Sequence, residues 1–294
     1  PYHPRSAIAL RGLFPKKARL MKLIHMSDIH LTASGSTIGG RDPRYNFERA
    51  LGHVLQDHGD AELMVITGDL SDWGDRADYE WLRSRLDSFP LPVRLCIGNH
   101  DNRAAFLGVF PEYVEPDGFA QGIQDTVAGR CLFLDTNEPR THAGRYCTSR
   151  QDWLERRLSE HDGPFLLFMH HHPMPTHLGP MDQIGLLDDA AFRQIVGRHR
   201  DKIRHIFFGH CHLPLGGSVA GVPTTSLRGT NHASYPLFSE KLMLSASDLP
   251  ESYGVAFVGP DYVTVHMVEF GYQGAIRVEG SPDYAMWDRE TMQR

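Results

Sequence analysis

The chain has 294 residues, 41% of them hydrophobic and 22% charged, with a formal net charge of -6. That length buries a full core as one large domain, or as a domain with a small accessory piece. No apolar run reaches the length of a membrane span, and the acidic balance leaves no footprint for wrapping long nucleic acid.

The first twenty residues set Arg5, Arg11, Lys16, Lys17 and Arg19 around the short apolar stretch Ala7 to Leu10. That stretch is too short and too interrupted for a signal-peptide core, so residues 1–20 read as an extension, poorly ordered or not native. Met21 directly precedes the first strand, Lys22 to Met26, which delivers Ser27-Asp28-Ile29-His30. A Gly/Ser/Thr-rich loop covers residues 32–40, and Phe47, Leu51, Val54 and Leu55 recur at helical spacing within residues 45–58.

Leu63-Met64-Val65-Ile66 is a continuous apolar run of the kind buried on both faces of a parallel sheet, and it ends in Thr67-Gly68-Asp69. Residues 76–88 form a second amphipathic helix with Tyr79, Leu82 and Leu86 on one face. Residues 92–97 make a third strand leading into Gly98-Asn99-His100-Asp101. Strand-like pieces at 125–127 and 131–135 straddle the turn Ala128-Gly129-Arg130. Residues 149–160 read as a helix in which Ser149 and Asp152 fit a capping box.

Residues 165–169 are a buried strand opening onto His170-His171-His172-Pro173. A Pro/Gly-containing loop runs to Gly185, residues 188–198 are helical, and the strand at 203–208 delivers Gly209-His210-Cys211-His212. Beyond Leu213 the segments 219–227, 254–258 and 262–270 are rich in Val, Thr, Tyr and Phe and read as antiparallel strands. The last twenty or so residues read as a tail or a partner-contacting arm. Cys96, Cys131, Cys147 and Cys211 show no C-x-x-C spacing, so buried free thiols of a reducing compartment are expected.

Five strands thus end on metal-ligand residue types, at the carboxyl edge where open α/β sheets bind ligands. In an extended backbone, residues i and i+2 face the same way. Asp28 with His30, and His210 with His212, would then reach one point while Ile29 and Cys211 turn into the core. Singly, each motif has an ordinary reading as a helix cap, a turn or a stack of structural histidines. Jointly, Asp28, His30, Asp69, Asn99, His170, His210 and His212 offer carboxylate, amide and imidazole donors. That set is too large for one open-sided divalent ion and right for two sharing a carboxylate.

The order D-x-H, G-D, G-N-H-D, H and G-H-x-H resembles the calcineurin-like metallophosphoesterases. The His-His-His-Pro stretch and Arg228-Gly229-Thr230-Asn231-His232 make it most similar to the class III cyclic nucleotide phosphodiesterases and the glycerophosphodiesterases. The resemblance covers residues 22–232. It implies an α/β fold, a four-layer α-β-β-α sandwich with a catalytic domain at 21–235. Residues 236–294 would add C-terminal β strands and a tail that complete the second sheet, cap the pocket or make an oligomer contact.

The resemblance further implies that Asp28, His30 and His212 hold one metal, Asn99, His170 and His210 the other, and that Asp69 bridges both. Choosing His170 over His171 follows the family's habit. The ions would be Mn, Fe, Zn or Co, divalent or trivalent. They would hold a hydroxide for in-line attack on a small phosphodiester, a cyclic nucleotide or a glycerophosphodiester, while His100 protonates the leaving group and Asp101 orients it. His171 and His232, with His172 and His177, are expected either along the substrate pocket or behind the ligands, fixing their tautomers, with a plain surface-loop reading the alternative for each. A phosphomonoesterase, a nuclease on short nucleic acid, or a scaffold of the same fold without chemistry are the alternatives; a scaffold should have lost ligands, and none is missing. A cytoplasmic homo-oligomer, dimer or larger, working without membrane or long nucleic acid, is the family-level expectation.

Overall fold

The computed structural model describes residues 20–277; the expected N-terminal extension up to residue 19, and the tail from residue 278, lie outside that range. Parallel strands β1 (Met21–Met26), β2 (Leu63–Thr67) and β3 (Val93–Cys96) lie side by side in a first sheet, β3 at its edge. Helices α1 (Pro43–His58), α2 (Arg76–Leu86) and α3 (Arg103–Val109) cover its outer face. Asp42 starts α1 by accepting from Tyr45 N at 3.1 Å, with Pro43 in the first turn, where its missing N–H costs nothing.

The second sheet begins with β4 (Gly122–Thr126) and β5 (Gly129–Phe133). After α4 (Thr148–Ser159) come β6 (Phe165–Phe168), α5 (Gly179–Asp182) and α6 (Asp189–Arg198). It ends with β7 (Ile203–Phe208) and the hairpin β8 (Leu215–Val219) and β9 (Val222–Ser226). A two-residue ribbon, β10 (Ala233–Ser234) and β11 (Ala246–Ser247), and strands β12 (Tyr253–Val258) and β13 (Val263–Val268) follow. Strand order is β13-β12-β1-β2-β3 in one sheet and β4-β5-β6-β7-β9-β8 in the other.

The continuous apolar runs are explained by burial on both faces. Along β1 and β2, Leu23, Leu63 and Val65 point into the space between the sheets, and Ile24, Met64 and Ile66 point toward the helices. On β6 the same alternation sends Leu166 and Phe168 between the sheets and Phe165 and Leu167 toward α4 and α6. Phe133, Phe168 and Phe207 stack across β5, β6 and β7, with centroids 5.3 and 5.0 Å apart. The result is the four-layer α-β-β-α sandwich.

Several expectations need correction. The segment 219–227 holds the turn Ala220-Gly221, both at positive φ, of a hairpin in which β9 is antiparallel to β8 as expected, but β9 also runs parallel to β7. The last strands do not complete the second sheet: β12 pairs antiparallel with β1 in the first, and Tyr253, Val255, Ala256 and Val258 are buried there. Residue 235 therefore divides no separate body from the catalytic fold. Ser149 caps nothing; Cys147 precedes the helix, and the Ser149 hydroxyl donates to Asp117 at 3.2 Å. The β4–β5 turn falls at Val127-Ala128, and Gly129 starts β5 because a Cβ there would meet Pro164 O at 2.3 Å. The seven-residue α3 and the four-residue α5 were too short to show a period. Cys96, Cys131 and Cys211 are buried free thiols as expected, whereas Cys147 is exposed.

His205, buried on β7, donates to or accepts from Thr225 Oγ1 at 2.9 Å, and burial pushes its pKa down to about 4. The unfolded chain takes up this proton near pH 6.5 and the folded chain does not, so stability falls as pH drops from about 6.5 to about 4. His205→Gln is expected to remove on the order of 3 kcal/mol of that acid loss; urea midpoints at pH 7 and pH 4.5 measure it. Equal acid sensitivity in both proteins would refute the assignment.

Candidate metal centre

The exits of β1, β2, β3, β6 and β7 meet at one edge where the two sheets adjoin. Asp28 N bonds Gly68 O at 3.0 Å and His30 N bonds Asp69 O at 2.9 Å, tying the first two exits together. Asp28, His30, Asp69, His210 and His212 all have left-handed φ, between 46° and 68°. The extended-backbone account of the i, i+2 pairs is therefore wrong in its geometry. Ile29 and Cys211 do turn into the core, 1% and 0% exposed, but because the flanking residues are left-handed. That conformation costs about 1–2 kcal/mol per L-residue, and such strain concentrates at functional sites. Gly68 and Gly98 permit the close approach: a Cβ on Gly68 would meet His170 Nδ1 at 2.6 Å, and one on Gly98 would meet Asp69 Oδ1 at 2.3 Å.

Hydrogen bonds on the far side of each ring decide what faces inward. Nδ1 of His30 lies 2.9 Å from Asp72 Oδ1, that of His170 2.8 Å from Thr67 O, and that of His212 3.1 Å from His232 O. A nitrogen facing an oxygen acceptor carries the proton, so Nε2 of all three keeps its lone pair. His30 Nε2 and His212 Nε2 then face each other at 3.2 Å, with Asp28 Oδ1 3.3 Å from the second and Asp69 Oδ2 3.6 Å from the first.

Beside them, His170 Nε2 lies 3.2 Å from His210 Nδ1, 3.0 Å from Asn99 Oδ1 and 3.4 Å from Asp69 Oδ2. Asn99 Nδ2 is engaged by His142 Nδ1 at 2.9 Å, which turns the amide oxygen inward. His210 Nε2 is buried without a partner among the described residues, so the proton can stay there and leave Nδ1 free. Every inward atom is an acceptor, and only a cation or an added proton relieves that arrangement. The donor set thus fits metal binding, and the ligand atoms of Asp28, His30, Asp69 and His212 lie within 4.8 Å of one another.

The titrations express the same conflict. Burial would raise Asp28 and Asp69, but His212 beside the first and His170 beside the second hold both carboxyls well below the usual range. Burial would lower His170, yet the Asp69 carboxylate lifts it to about 9. Burial and the neighbouring His171 and His170 push His210 far down. A proton on His170 and a cation among the rings are competing answers to one repulsion.

Around this set is a cavity of about 530 Å³ lined by His30, Asp69, Asn99, His100, His210 and His212, with His142 and His232. His100 N donates to Asp69 Oδ1 at 2.9 Å, and its Nδ1 donates to Asp72 O at 2.8 Å. Asp101 does not orient it. Asp101 is buried and accepts from Leu70 N, Ser71 N and Gly98 N at 3.1, 3.0 and 2.8 Å and from Tyr79 OH at 2.9 Å. Burial, with Asp69 nearby, raises it to about 6.

The group that orients His100 and His30 is Asp72, which the sequence reading passed over although it stands three residues after Asp69. His171 lies behind the cavity, not along it: Thr136 Oγ1 occupies its Nδ1 at 2.7 Å and His142 O its Nε2 at 3.2 Å. His172 faces Cys211 Sγ at 3.5 Å, and His177 is exposed outside the cavity. His142 was not foreseen because Thr141-His142-Ala143 carries no motif.

A two-sheet α/β sandwich with a His/Asp ligand cluster at its strand exits defines a metallophosphoesterase. The chain belongs to the calcineurin-like phosphoesterase family, which matches residues 21–214. A probable cyclic nucleotide phosphodiesterase of Rhodopseudomonas palustris is 35% identical over 87% of this chain and 95% of its own. The glycerophosphodiester phosphodiesterase GpdQ of Enterobacter lignolyticus is 30% identical over 65% of this chain and 71% of its own. A dimetal phosphatase from Danio rerio shares the fold with a TM-score of 0.60 at 15% identity, covering 87% of this chain and all of that one.

Because Asp101 ties the Asp69 loop to the Asn99 loop without touching the cavity ligands, Asp101→Asn is expected to weaken metal binding 10- to 100-fold, about the usual cost of losing such support. Calorimetric titration with Mn checks this; unchanged affinity would show the anchor to be dispensable.

Proposed function

We propose that this protein is a dinuclear metal-dependent hydrolase of small phosphodiesters, with cyclic nucleotides or glycerophosphodiesters as the substrate class. The observation that carries the reading is the place of Asp69 Oδ2, 3.6 Å from His30 Nε2 and 3.4 Å from His170 Nε2. One carboxylate is shared by two sets of inward acceptors. Asp28, His30 and His212 would hold one ion, Asn99, His170 and His210 the other, and Asp69 both. When bound, such a pair supplies positive charge that polarises the phosphoryl oxygens and acidifies water.

His100 Nδ1 is committed to Asp72 O, so Nε2 is the atom left to pass a proton to the departing alkoxide. His232 accepts from Asn231 Nδ2 at 3.3 Å, and Asn231 is fixed in turn by Asn46 at 3.0 Å. That bond favours the His232 tautomer with its proton on Nε2, which would donate to a phosphoryl oxygen. Among the described residues neither lysine nor arginine lines the cavity, which suits a singly charged diester better than a polyanion. The relatives named for cyclic nucleotides and for glycerophosphodiesters favour a diester over a monoester.

With Mn, bis-p-nitrophenyl phosphate is expected to turn over at least about tenfold faster than the monoester, with two metals bound per chain. A mononuclear centre at saturation, or a preference for the monoester, would overturn the reading. His100→Ala is expected to retain both metals and to slow diesters with poor leaving groups about 10²-fold or more, and good ones far less; equal slowing across a leaving-group series would remove the proton-donor role.

A further inference from the structure

The cavity has two unlike walls. Facing the ligands and histidines are Ile38, Met181, Ile184, Leu242 and Leu244. The apolar side does not stop at the cavity's edge. Between β10 and β11 the chain makes an excursion in which Tyr235, Leu237, Phe238, Leu242, Met243 and Leu244 are all exposed, Leu242 to 84% and Met243 to 71%. Six exposed large apolar side chains within one short segment point to a binding surface.

The excursion is built, not collapsed. Glu240 accepts from the backbone N–H groups of Lys241, Leu242 and Met243 at 2.9, 2.7 and 3.0 Å, which fixes a turn here. Lys241 bonds Phe238 O at 2.8 Å, and Ser245 Oγ bonds Tyr235 O. Below the turn, Met243 and Leu244 meet Met181 and Leu178 in a small cleft that continues the cavity wall.

We infer that one substituent of the diester is an extended apolar chain, so that the substrates include single-chain amphiphiles such as monoacyl glycerophosphodiesters. This rests on the phosphodiesterase reading. The phosphodiester sits at the metal centre, and the chain lies over Leu242 and Leu244 and out toward Met243 and Phe238. A purine would be satisfied by the cavity wall alone; it gives no reason for apolar side chains that continue past the rim. Hydrolysis adds water across one P–O bond: the oxygen joins phosphorus, and the proton goes to the departing alkoxide, leaving a monoester and an alcohol.

The test uses the metal-loaded full chain with glycerophosphocholine and its hexanoyl and decanoyl monoesters, all below their micellar concentrations. From the unacylated to the decanoyl compound kcat/KM is expected to rise about tenfold or more, chiefly through KM, since each methylene shielded from water favours binding. In Phe238→Ser/Leu242→Ser the dependence on chain length is expected to flatten. Hydrolysis of glycerophosphocholine with no dependence on chain length would overturn the inference and leave the diesterase reading standing. A flat series together with a dimer that the double variant dissociates would also overturn it, assigning the face to a second copy. Failure to hydrolyse any diester, activated ones included, would overturn the underlying reading itself.

Discussion

Lone pairs that face one another across about 3 Å are the constraint on which this structure turns. His30 Nε2 against His212 Nε2, and His170 Nε2 against His210 Nδ1, are each 3.2 Å apart with Asp69 between the pairs. The chain maintains this arrangement by fixing the opposite face of most rings to a carbonyl or carboxylate, so that the lone pairs cannot turn away. Such an arrangement favours positive charge, and the left-handed backbone at His30, Asp69, His210 and His212, and at Asp28 beside them, is the conformational cost of forming it.

That cost is met by the architecture around the site. Asp28, His30, Asp69 and Asn99 leave the first sheet, whereas His170, His210 and His212 leave the second. The site therefore straddles the junction of two sheets held face to face by Leu23, Val65, Phe168 and Phe207. Asp101, with three backbone donors and the Tyr79 hydroxyl on one carboxylate, locks the loop bearing Asp69 to the loop bearing Asn99. Asp72 then serves two rings at once, His30 through its carboxylate and His100 through its carbonyl. Metal affinity and fold stability are coupled through these few groups.

On the other side of the cavity the chemistry is of the opposite kind. The ligand face is polar, buried and rigidly bonded; the wall built by the excursion after β10 is apolar and faces water. A phosphodiester is itself such a two-part molecule, with a charged centre and variable substituents. On the proposed diesterase reading, the ligand face would take the part common to all diesters, and the wall at Leu242 and Leu244 would distinguish one diester from another.

The amino-acid sequence determined what depends on local composition. Apolar runs such as Leu63 to Ile66, rich in β-branched residues and too short for a helix, read as strands buried on both faces, and the ligand types that follow five of them jointly point to cation binding. Tertiary structure decided what depends on partners distant in sequence. The pairing of β12 with β1, made across more than 200 residues, follows from the open edge of β1 and leaves no mark in either strand. The left-handed turns at Asp28 and His210, the Asp72 bonds to His30 and His100, and the use of Asp101 as an anchor likewise arise only once separate loops converge. A periodic pattern reports whether a residue is buried, since burial is a property of its own segment. Which atom it meets there is set by the rest of the chain.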